Sequence, residues 1–280
     1  MRIFVTGAGG MLGQDVVSAA RAAGAEPVTR AHAELDIRAA AEVDAALRSA
    51  APEVVINCAA WTDVDGAESS AAAALAVNGE GAGNVAKAAS DAGAWMIHIS
   101  SDYVFDGGKR TPYVESDPTG PLSAYGRSKL AGEQAVAREA PDSHTIVRSS
   151  WLCGAHGHCF PATILRLAGE RGELTVVDDQ VGCPTFTGHL AQALLALCER
   201  RRRGILHVTG GGSCSWFEFA GEIVAEAGAV ATVSPCRTAD MPRPAQRPAH
   251  SVLRSERGAP ALPEWRQGLR EYMSARVLGR

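Results

Sequence analysis

Tyr125 and Lys129 are the two residues whose types and spacing point most directly to chemistry. Positions i and i+4 of an α-helix lie on one face, so Lys129 would follow Tyr125 by one turn. A tyrosine hydroxyl normally has a pKa near ~10, and a neighbouring ammonium group favours the phenolate and lowers that pKa. The pair is therefore a candidate proton donor near neutral pH. Because Tyr-x-x-x-Lys also occurs by chance on surface helices, the interpretation depends on the elements around it.

A glycine-rich turn near the start of the chain supplies that context. Residues 2–6 are apolar and predict a strand, and residues 14–23 predict a helix. Between them, Gly7, Gly10 and Gly13 have the spacing of a dinucleotide-binding turn, where glycines permit a tight bend and a close approach of the backbone to a pyrophosphate. The helix N-terminus would then face the phosphates. An ordinary strand-to-helix turn is the alternative.

Arg30 ends the second predicted strand, a position that distinguishes the two nicotinamide cofactors. An acid there binds the ribose 2′-hydroxyl of NAD, whereas an arginine accommodates the 2′-phosphate of NADP. The next acids are Glu34 and Asp36. The position therefore favours NADPH, with NADH as the second choice, and a solvated surface arginine is the alternative interpretation.

Two further predicted strands end in residues that suit a ligand site. Small residues that leave room for a cofactor follow the strand over residues 53–58, namely Ala59, Ala60 and Thr62. Ser100 and Ser101 end the strand over residues 95–99 and would face the same pocket as Tyr125. One of these hydroxyls would hydrogen-bond a substrate carbonyl oxygen as negative charge develops on it. Strand-end serines also commonly bond the local backbone.

The totals exclude several classes of protein. The chain has 280 residues with 27 Lys and Arg against 31 Asp and Glu, and this net charge of −4 argues against a general nucleic-acid or membrane binder. Its seven scattered cysteines form no C-x-x-C pair, so neither a zinc site nor a disulfide framework is predicted. The chain has no signal-peptide pattern and no long apolar run, so a cytoplasmic protein with no membrane span is expected.

Strand and helix patterns alternate along the chain and predict an α/β protein. The expected architecture is a Rossmann-type doubly wound parallel sheet formed by residues 1–148, the NAD(P)-binding domain. Residues 149–280 would form mainly a smaller C-terminal α/β substrate-binding domain, with segments returning to the sheet. Helices are also predicted over residues 38–50, 71–92, 163–168, 189–203, 217–227 and 262–276.

The motifs together resemble the extended short-chain dehydrogenase/reductase family, and more narrowly the dTDP-4-dehydrorhamnose reductases and their dihydrostreptose-branch relatives. The resemblance runs the length of the chain. Its motifs are Gly7-x-x-Gly10-x-x-Gly13, Asn57-Cys58-Ala59-Ala60-Trp61-Thr62 with Val64-Asp65 and Ala67-Glu68, Ser101-Asp102-Tyr103-Val104-Phe105, Tyr113-x-Glu115, Pro121-x-x-x-Tyr125-Gly126-x-x-Lys129 with Gly132-Glu133, Arg148-x-Ser150-Trp151, Asp179-Gln180-x-Gly182-x-Pro184-Thr185, and Arg247-Pro248-x-x-Ser251-x-Leu253.

This resemblance implies a reductase of a dTDP-4-keto-6-deoxy-L-hexose. Tyr125 would be the general acid, Lys129 its electrostatic partner and Ser101 the hydroxyl that orients the carbonyl. The implied NADPH contacts are Gly7, Gly10, Met11, Leu12, Gly13, Arg30, Asp36, Ile37, Ala59, Ala60, Thr62, Tyr125 and Lys129. The implied contacts to the nucleotide sugar are Ser101, Tyr103, Trp151 and Arg247.

Arg247 lies in a proline-stiffened loop, where an arginine would grip the diphosphate bidentately. The alternative is that it pairs with a surface acid.

Some features depart from the family pattern. Cys153, Cys159 and His250 stand where an aromatic residue, Asn, and Asn or Tyr are usual, which leaves the exact sugar open. Some relatives hold Mg²⁺ through several acids; since only Asp15 matches in part, no metal is predicted. Oligomeric state is open, with a homodimer as one choice. The alternative functions are a nucleotide-sugar epimerase or dehydratase, and a non-catalytic subunit that senses the cofactor.

Overall fold

The computed structural model describes residues 1–278. The strands are β1 (Arg2–Thr6), β2 (Glu26–Arg30), β3 (Val54–Asn57), β4 (Trp95–Ser101), β5 (His144–Ser149), β6 (Leu152–Cys153), β7 (Glu173–Val177), β8 (Val181–Gly182), β9 (Thr185–Phe186), β10 (Gly204–His207), β11 (Cys214–Ser215) and β12 (Thr232–Cys236). The α-helices are α1 (Met11–Ala22), α2 (Ala40–Ala50), α3 (Gly66–Ser69), α4 (Ala71–Leu75), α5 (Ala82–Asp91), α6 (Ala124–Glu139), α7 (Phe160–Glu170), α8 (Thr187–Arg200), α9 (Trp216–Glu226) and α10 (Trp265–Leu278).

A 6-stranded parallel sheet forms the centre, in the order β2-β1-β3-β4-β5-β10. From β1 the chain moves outward to β2 and then crosses to β3 on the other side of β1. In open α/β sheets, ligands bind where the strand order reverses in this way, outside the carboxyl ends of the strands. The predicted Rossmann-type doubly wound sheet is confirmed, and the reversal between β1 and β3 marks the expected ligand cleft.

Helices cover both faces of the sheet. Helices α1 and α8 pack on one face, where Val16 and Leu194 are buried. Helices α2, α5 and α6 pack on the other, where Leu47, Val85 and Val136 are buried. This double cover explains why β3 is a continuous apolar run rather than an alternating one. Both α8 and β10 come from the second half of the chain.

A smaller unit follows the sheet. Helices α7, α9 and α10 pack with three short strand pairs, β6–β9, β7–β12 and β8–β11. At its centre, the rings of Phe219 and Trp265 meet edge to face with their centroids 5.4 Å apart. None of the helices within residues 1–278 is long and apolar enough to cross a bilayer.

The helix predicted over residues 71–92 is interrupted. A π-helical segment (Ala76–Gly81) separates α4 from α5, and Asn78 lies within it. The Asn78 side chain accepts the Trp61 backbone N–H at 2.9 Å and donates to the Ser128 hydroxyl at 2.9 Å. Single π turns often occur at functional sites. Here the wider turn aims a buried amide at the loop after β3 and at α6, which a uniform 3.6-residue pattern could not predict.

A buried ion pair holds α6 to the sheet. Glu133 accepts two hydrogen bonds from the Arg148 guanidinium, at 2.8 and 2.6 Å, and both side chains are at most 4% exposed. Glu133 also accepts the Ser100 hydroxyl at 2.5 Å. Ser100 therefore faces the underside of α6, and the prediction that both strand-end serines face the Tyr125 pocket was wrong for this residue.

We expect Glu133→Gln to lower the free energy of unfolding by about 3–5 kcal/mol, because it leaves the Arg148 guanidinium buried without its counter-charge. Urea unfolding at neutral pH measures the change. Asp91→Asn is the control: it breaks an exposed pair with Lys87, which should contribute less than about 0.5 kcal/mol. Equal losses in the two variants would contradict a special role for the buried pair.

Candidate active site

The glycine turn lies against the end of β3. Gly7 has a φ of +63°, and a Cβ added there would lie 2.6 Å from the Ala59 nitrogen. A Cβ on Gly13 would overlap the Gly7 carbonyl oxygen. Gly10 is the N-cap of α1 and has no side chain to hydrogen-bond the first turn. These glycines keep the turn tight and leave the amides at the start of α1 to an anionic ligand, which is the geometry that a pyrophosphate requires.

The two hydrophobic residues of the turn face different ways. Leu12 is buried in the core between α1 and the sheet. Met11 is half-buried and packs toward Gly154 and Gly157, which belong to the loop after β6. The predicted cofactor turn is thereby in contact with the smaller unit.

Arg30 and Asp36 lie at the outer side of the turn. The Arg30 carbonyl accepts the Ala8 N–H at 3.1 Å, which places Arg30 beside the glycine turn. Its guanidinium lies over the Phe4 ring, 5.8 Å from the centroid. Asp36 is held bidentately by Arg38, which lowers the pKa of the carboxyl to about 2. The Ile37 side chain is buried against α5 and the π-helical segment.

The loop after β3 is held from two sides. The Asn57 side chain accepts the Ala59 N–H at 3.2 Å, and Asn78 binds the backbone of Trp61. Between these anchors, Ala59 and Ala60 are half-buried, and Thr62 beyond them is exposed. Small, fixed residues therefore border the cleft at the strand reversal.

Helix α6 presents Tyr125 toward the end of β4. Ser123 caps α6 by accepting the Gly126 N–H at 3.1 Å. The Ser101 side chain is close enough to the Tyr125 hydroxyl to lower its pKa. One turn along, Lys129 is buried and donates to the Ile99 carbonyl at 2.7 Å. The structure thus brings together Ser101, Tyr125 and Lys129, all three residues predicted to be catalytic.

The pKa of Tyr125 differs from the prediction. Loss of water around the Tyr125 hydroxyl raises its pKa to about 12, although the neighbouring Ser101 side chain opposes the rise. Burial also lowers the pKa of Lys129 to about 8. Desolvation disfavours both charged forms, and Lys129 points its ammonium at a backbone carbonyl. The expectation that Lys129 lowers the pKa of Tyr125 was wrong.

Asp102 is a site residue that the sequence reasoning did not single out for a role. It is buried beside Ser101, whose hydroxyl donates to it at 3.0 Å, and burial raises the pKa of its carboxyl to about 7. The signal was its position directly after β4. The next residue, Tyr103, packs its ring edge-on against Tyr125 with centroids 5.7 Å apart.

Arg247 and Trp151 occupy different parts of the structure. Arg247 lies close enough to Tyr103 to affect its pKa, which adds it to the row that runs through Tyr125 to Ser101. Trp151 has a φ of +47° and stacks on Trp216 with ring centroids 3.4 Å apart. It therefore lies in the aromatic cluster of the smaller unit.

Comparison with known proteins identifies the family. The model of the RmlD substrate binding domain family matches residues 1–277. A dTDP-4-dehydrorhamnose reductase of Mycolicibacterium smegmatis is 45% identical over 99% of this chain and 86% of its own length. The chain belongs to the dTDP-4-dehydrorhamnose reductase family. It is an oxidoreductase of that type, and the family resemblance seen in its motifs is confirmed.

Two other similar proteins bear on ligands. The solved structure of a dTDP-4-dehydrorhamnose reductase of Bacillus anthracis, in complex with NADP, aligns with a TM-score of 0.95 at 36% identity, covering 98% of this chain and 99% of that one. A dTDP-4-keto-6-deoxy-D-glucose reductase of Streptomyces niveus is 44% identical over 78% of this chain and 76% of its own length. Members similar to this chain thus carry names with different 4-keto sugars.

We expect Lys129→Met to raise the free energy of unfolding at neutral pH by on the order of 2 kcal/mol, while turnover is lost. The Lys129 pKa of about 8 lies below its ordinary value of 10.5, so holding the proton at neutral pH opposes folding. Between those two pKa values the unfolded chain holds a proton that the folded chain has lost, so the stability of the unaltered protein rises with pH and the difference shrinks.

Urea unfolding across that pH range measures the effect. Lys87→Met, at an exposed position on α5, is the control and should show no such pH-dependent gain. A Lys129→Met protein that is less stable at neutral pH would contradict the expectation.

Proposed function

We propose that this chain reduces the C4 ketone of a dTDP-4-keto-6-deoxy-L-hexose with NADPH. The observation that carries the proposal is the row formed by Arg247, Tyr103, Tyr125 and Ser101 at the carboxyl edge of the sheet, with Lys129 one turn along α6. The names of the similar proteins support the substrate class, and the NADP complex of the Bacillus anthracis relative supports the cofactor.

In the proposed reaction, the residues of this row have separate roles. When bound, NADPH supplies the hydride for C4. Ser101 orients the carbonyl oxygen by a hydrogen bond that strengthens as charge develops. Tyr125 then donates its proton to that oxygen. The raised pKa keeps the Tyr125 hydroxyl protonated until the charge on oxygen builds up.

Residues 1–148 would hold the cofactor, through the glycine turn, Arg30, Asp36, Ile37 and the loop after β3. Residues 149–280 would mainly hold the sugar nucleotide, with Trp151 and Arg247 as contacts; residues 279 and 280 lie outside the described part. This division is a proposal about roles, since α8 and β10 pack into the sheet itself.

The identity of the sugar is the second question. The name of the Streptomyces niveus relative makes dTDP-4-keto-6-deoxy-D-glucose the competing substrate. Incubating the protein with each 4-keto sugar and NADPH, following NADPH absorbance and identifying the product by NMR, tests both. Reduction of the L-hexose supports the proposal, and reduction of the D-sugar alone corrects the substrate. A product with an inverted centre and no NADPH consumption would indicate an epimerase, and no turnover a non-catalytic protein.

We expect Tyr125→Phe to lower kcat by about 10²–10⁴, because only the donated proton is removed. The Kd for NADPH, measured by its fluorescence, should remain within a few-fold of the unaltered protein. Near-normal kcat in the variant would rule out Tyr125 as the general acid.

Arg30→Ala should reduce the preference for NADPH over NADH, since the guanidinium would no longer meet the 2′-phosphate. The ratio of kcat/KM for the two cofactors measures the preference, and a tenfold fall corresponds to about 1.4 kcal/mol. Arg21→Ala, on the exposed side of α1, is the matched control. If both variants keep the same ratio as the unaltered protein, Arg30 does not choose the cofactor.

A further inference from the structure

Asp65 is the centre of a cluster that joins two distant parts of the chain. Its carboxylate accepts hydrogen bonds from both terminal nitrogens of Arg247, at 3.0 and 2.9 Å. It also accepts the Ala245 N–H at 3.1 Å and pairs with Arg243 at 2.8 Å. All of these partners belong to residues 243–247, and we call this stretch the arginine loop.

The arginine loop depends on Asp65 for its position. Residues after it are fixed by backbone hydrogen bonds, from Val181 to Ala249 at 2.9 Å and from Ser251 to Val181 at 2.8 Å. By contrast, the arginine loop contacts the segment after β3 through one group, the Asp65 carboxylate. The two arginines lower the pKa of Asp65 to about 2, so it is ionised at every pH of interest.

Arg247 is an anchored side chain rather than a mobile one. Its side chain is only 14% exposed, and one terminal nitrogen also donates to the Ala245 carbonyl at 2.9 Å. With its two bonds to Asp65, much of its donor capacity is already used. The same guanidinium lies close to Tyr103, whose ring packs edge-on against that of Tyr125. Bidentate pairing fixes the plane of a guanidinium, so Asp65 also fixes what Arg247 presents to Tyr103.

We propose that Asp65 is a positioning residue for the reaction, acting through Arg247 on Tyr103 and hence on the place of the sugar against Tyr125. The inference rests on the proposed function. It differs from the simple expectation that Arg247 is a free cation for the diphosphate: here the Asp65–Arg247 pair works as one rigid unit beside the reacting carbon.

The test combines Asp65→Asn, Arg247→Gln and the double variant. Asp65→Asn keeps the shape of the side chain and removes the charge that grips the guanidinium. It should lower kcat with the 4-keto sugar about tenfold and leave the Kd for NADPH unchanged. Because the pair acts as a unit, the double variant should lose no more than the worse single variant. Asp65→Glu should recover part of kcat.

Arg243→Gln is the control within the cluster. Arg243 is 60% exposed and is the less constrained partner of Asp65, so its loss leaves the bidentate pair in place and should change kcat less than threefold. The proposal would be overturned if the loss of kcat in the double variant equalled the product of the two single losses, or if kcat were unchanged in Asp65→Asn. An equal loss in Arg243→Gln would also overturn it.

Hydrogen exchange keeps this test separate from the proposed function. In Asp65→Asn the Ala245 amide should exchange at least tenfold faster than in the unaltered protein, whatever sugar the enzyme uses. If the unaltered protein reduces no 4-keto sugar, the proposed function fails. Faster exchange in Asp65→Asn would still show that Asp65 holds the arginine loop in place. If the protein is an active reductase but the Ala245 amide exchanges at the same rate in Asp65→Asn, the proposal that Asp65 positions the arginine loop is overturned and the reductase assignment stands.

Discussion

The seating of α6 on the end of β4 is the constraint on which the site depends. Two close backbone approaches permit it: a Cβ on Gly126 would overlap the Tyr103 carbonyl oxygen, and one on Gly132 would overlap that of Asn78. The Glu133–Arg148 pair and the Lys129 bond to Ile99 fix the same helix face from within. Tyr125 lies on that face one turn before Lys129 and packs against Tyr103 at the end of β4. The orientation of the proton donor is therefore a consequence of helix packing, and the local Tyr-x-x-x-Lys spacing supplies only the candidates.

The same packing sets the electrostatics. The Lys129 side chain is buried between α6 and β4, so water cannot solvate its ammonium, and its pKa falls to about 8. Tyr125 is half-buried, and loss of water around its hydroxyl raises the pKa of that group. Of the two shifts, only that of Lys129 costs stability at neutral pH, because Tyr125 is neutral there in both the folded and the unfolded chain. Strained or desolvated groups of this kind are typical of active sites, where function and stability oppose one another.

What the sequence could predict follows from the range of each interaction. The strand, glycine turn and helix of β1 and α1 are local, and their pattern predicted the fold correctly. The direction of the Tyr125 pKa shift depends on burial by residues far along the chain, and there the sequence prediction failed. The π-helical turn at Asn78 was missed because the hydrogen bonds of its side chain go to residues in two other parts of the chain, the loop after β3 and α6. The contacts of Asp65 could likewise not be predicted, since its partners lie about 180 residues away.

The position of β10 and α8 has a consequence for how this chain is made. Strand β10 covers the outer edge of β5, and α8 covers the face of the sheet beside α1, yet both follow much of the smaller unit in sequence. A chain emerging from the ribosome therefore completes β1 to β5 while that edge and that apolar face are still open. Unpaired edges and exposed apolar surface invite association with other chains. Until residue 207 has been added, the nascent chain therefore exposes both the edge of β5 and the apolar face that α8 later covers.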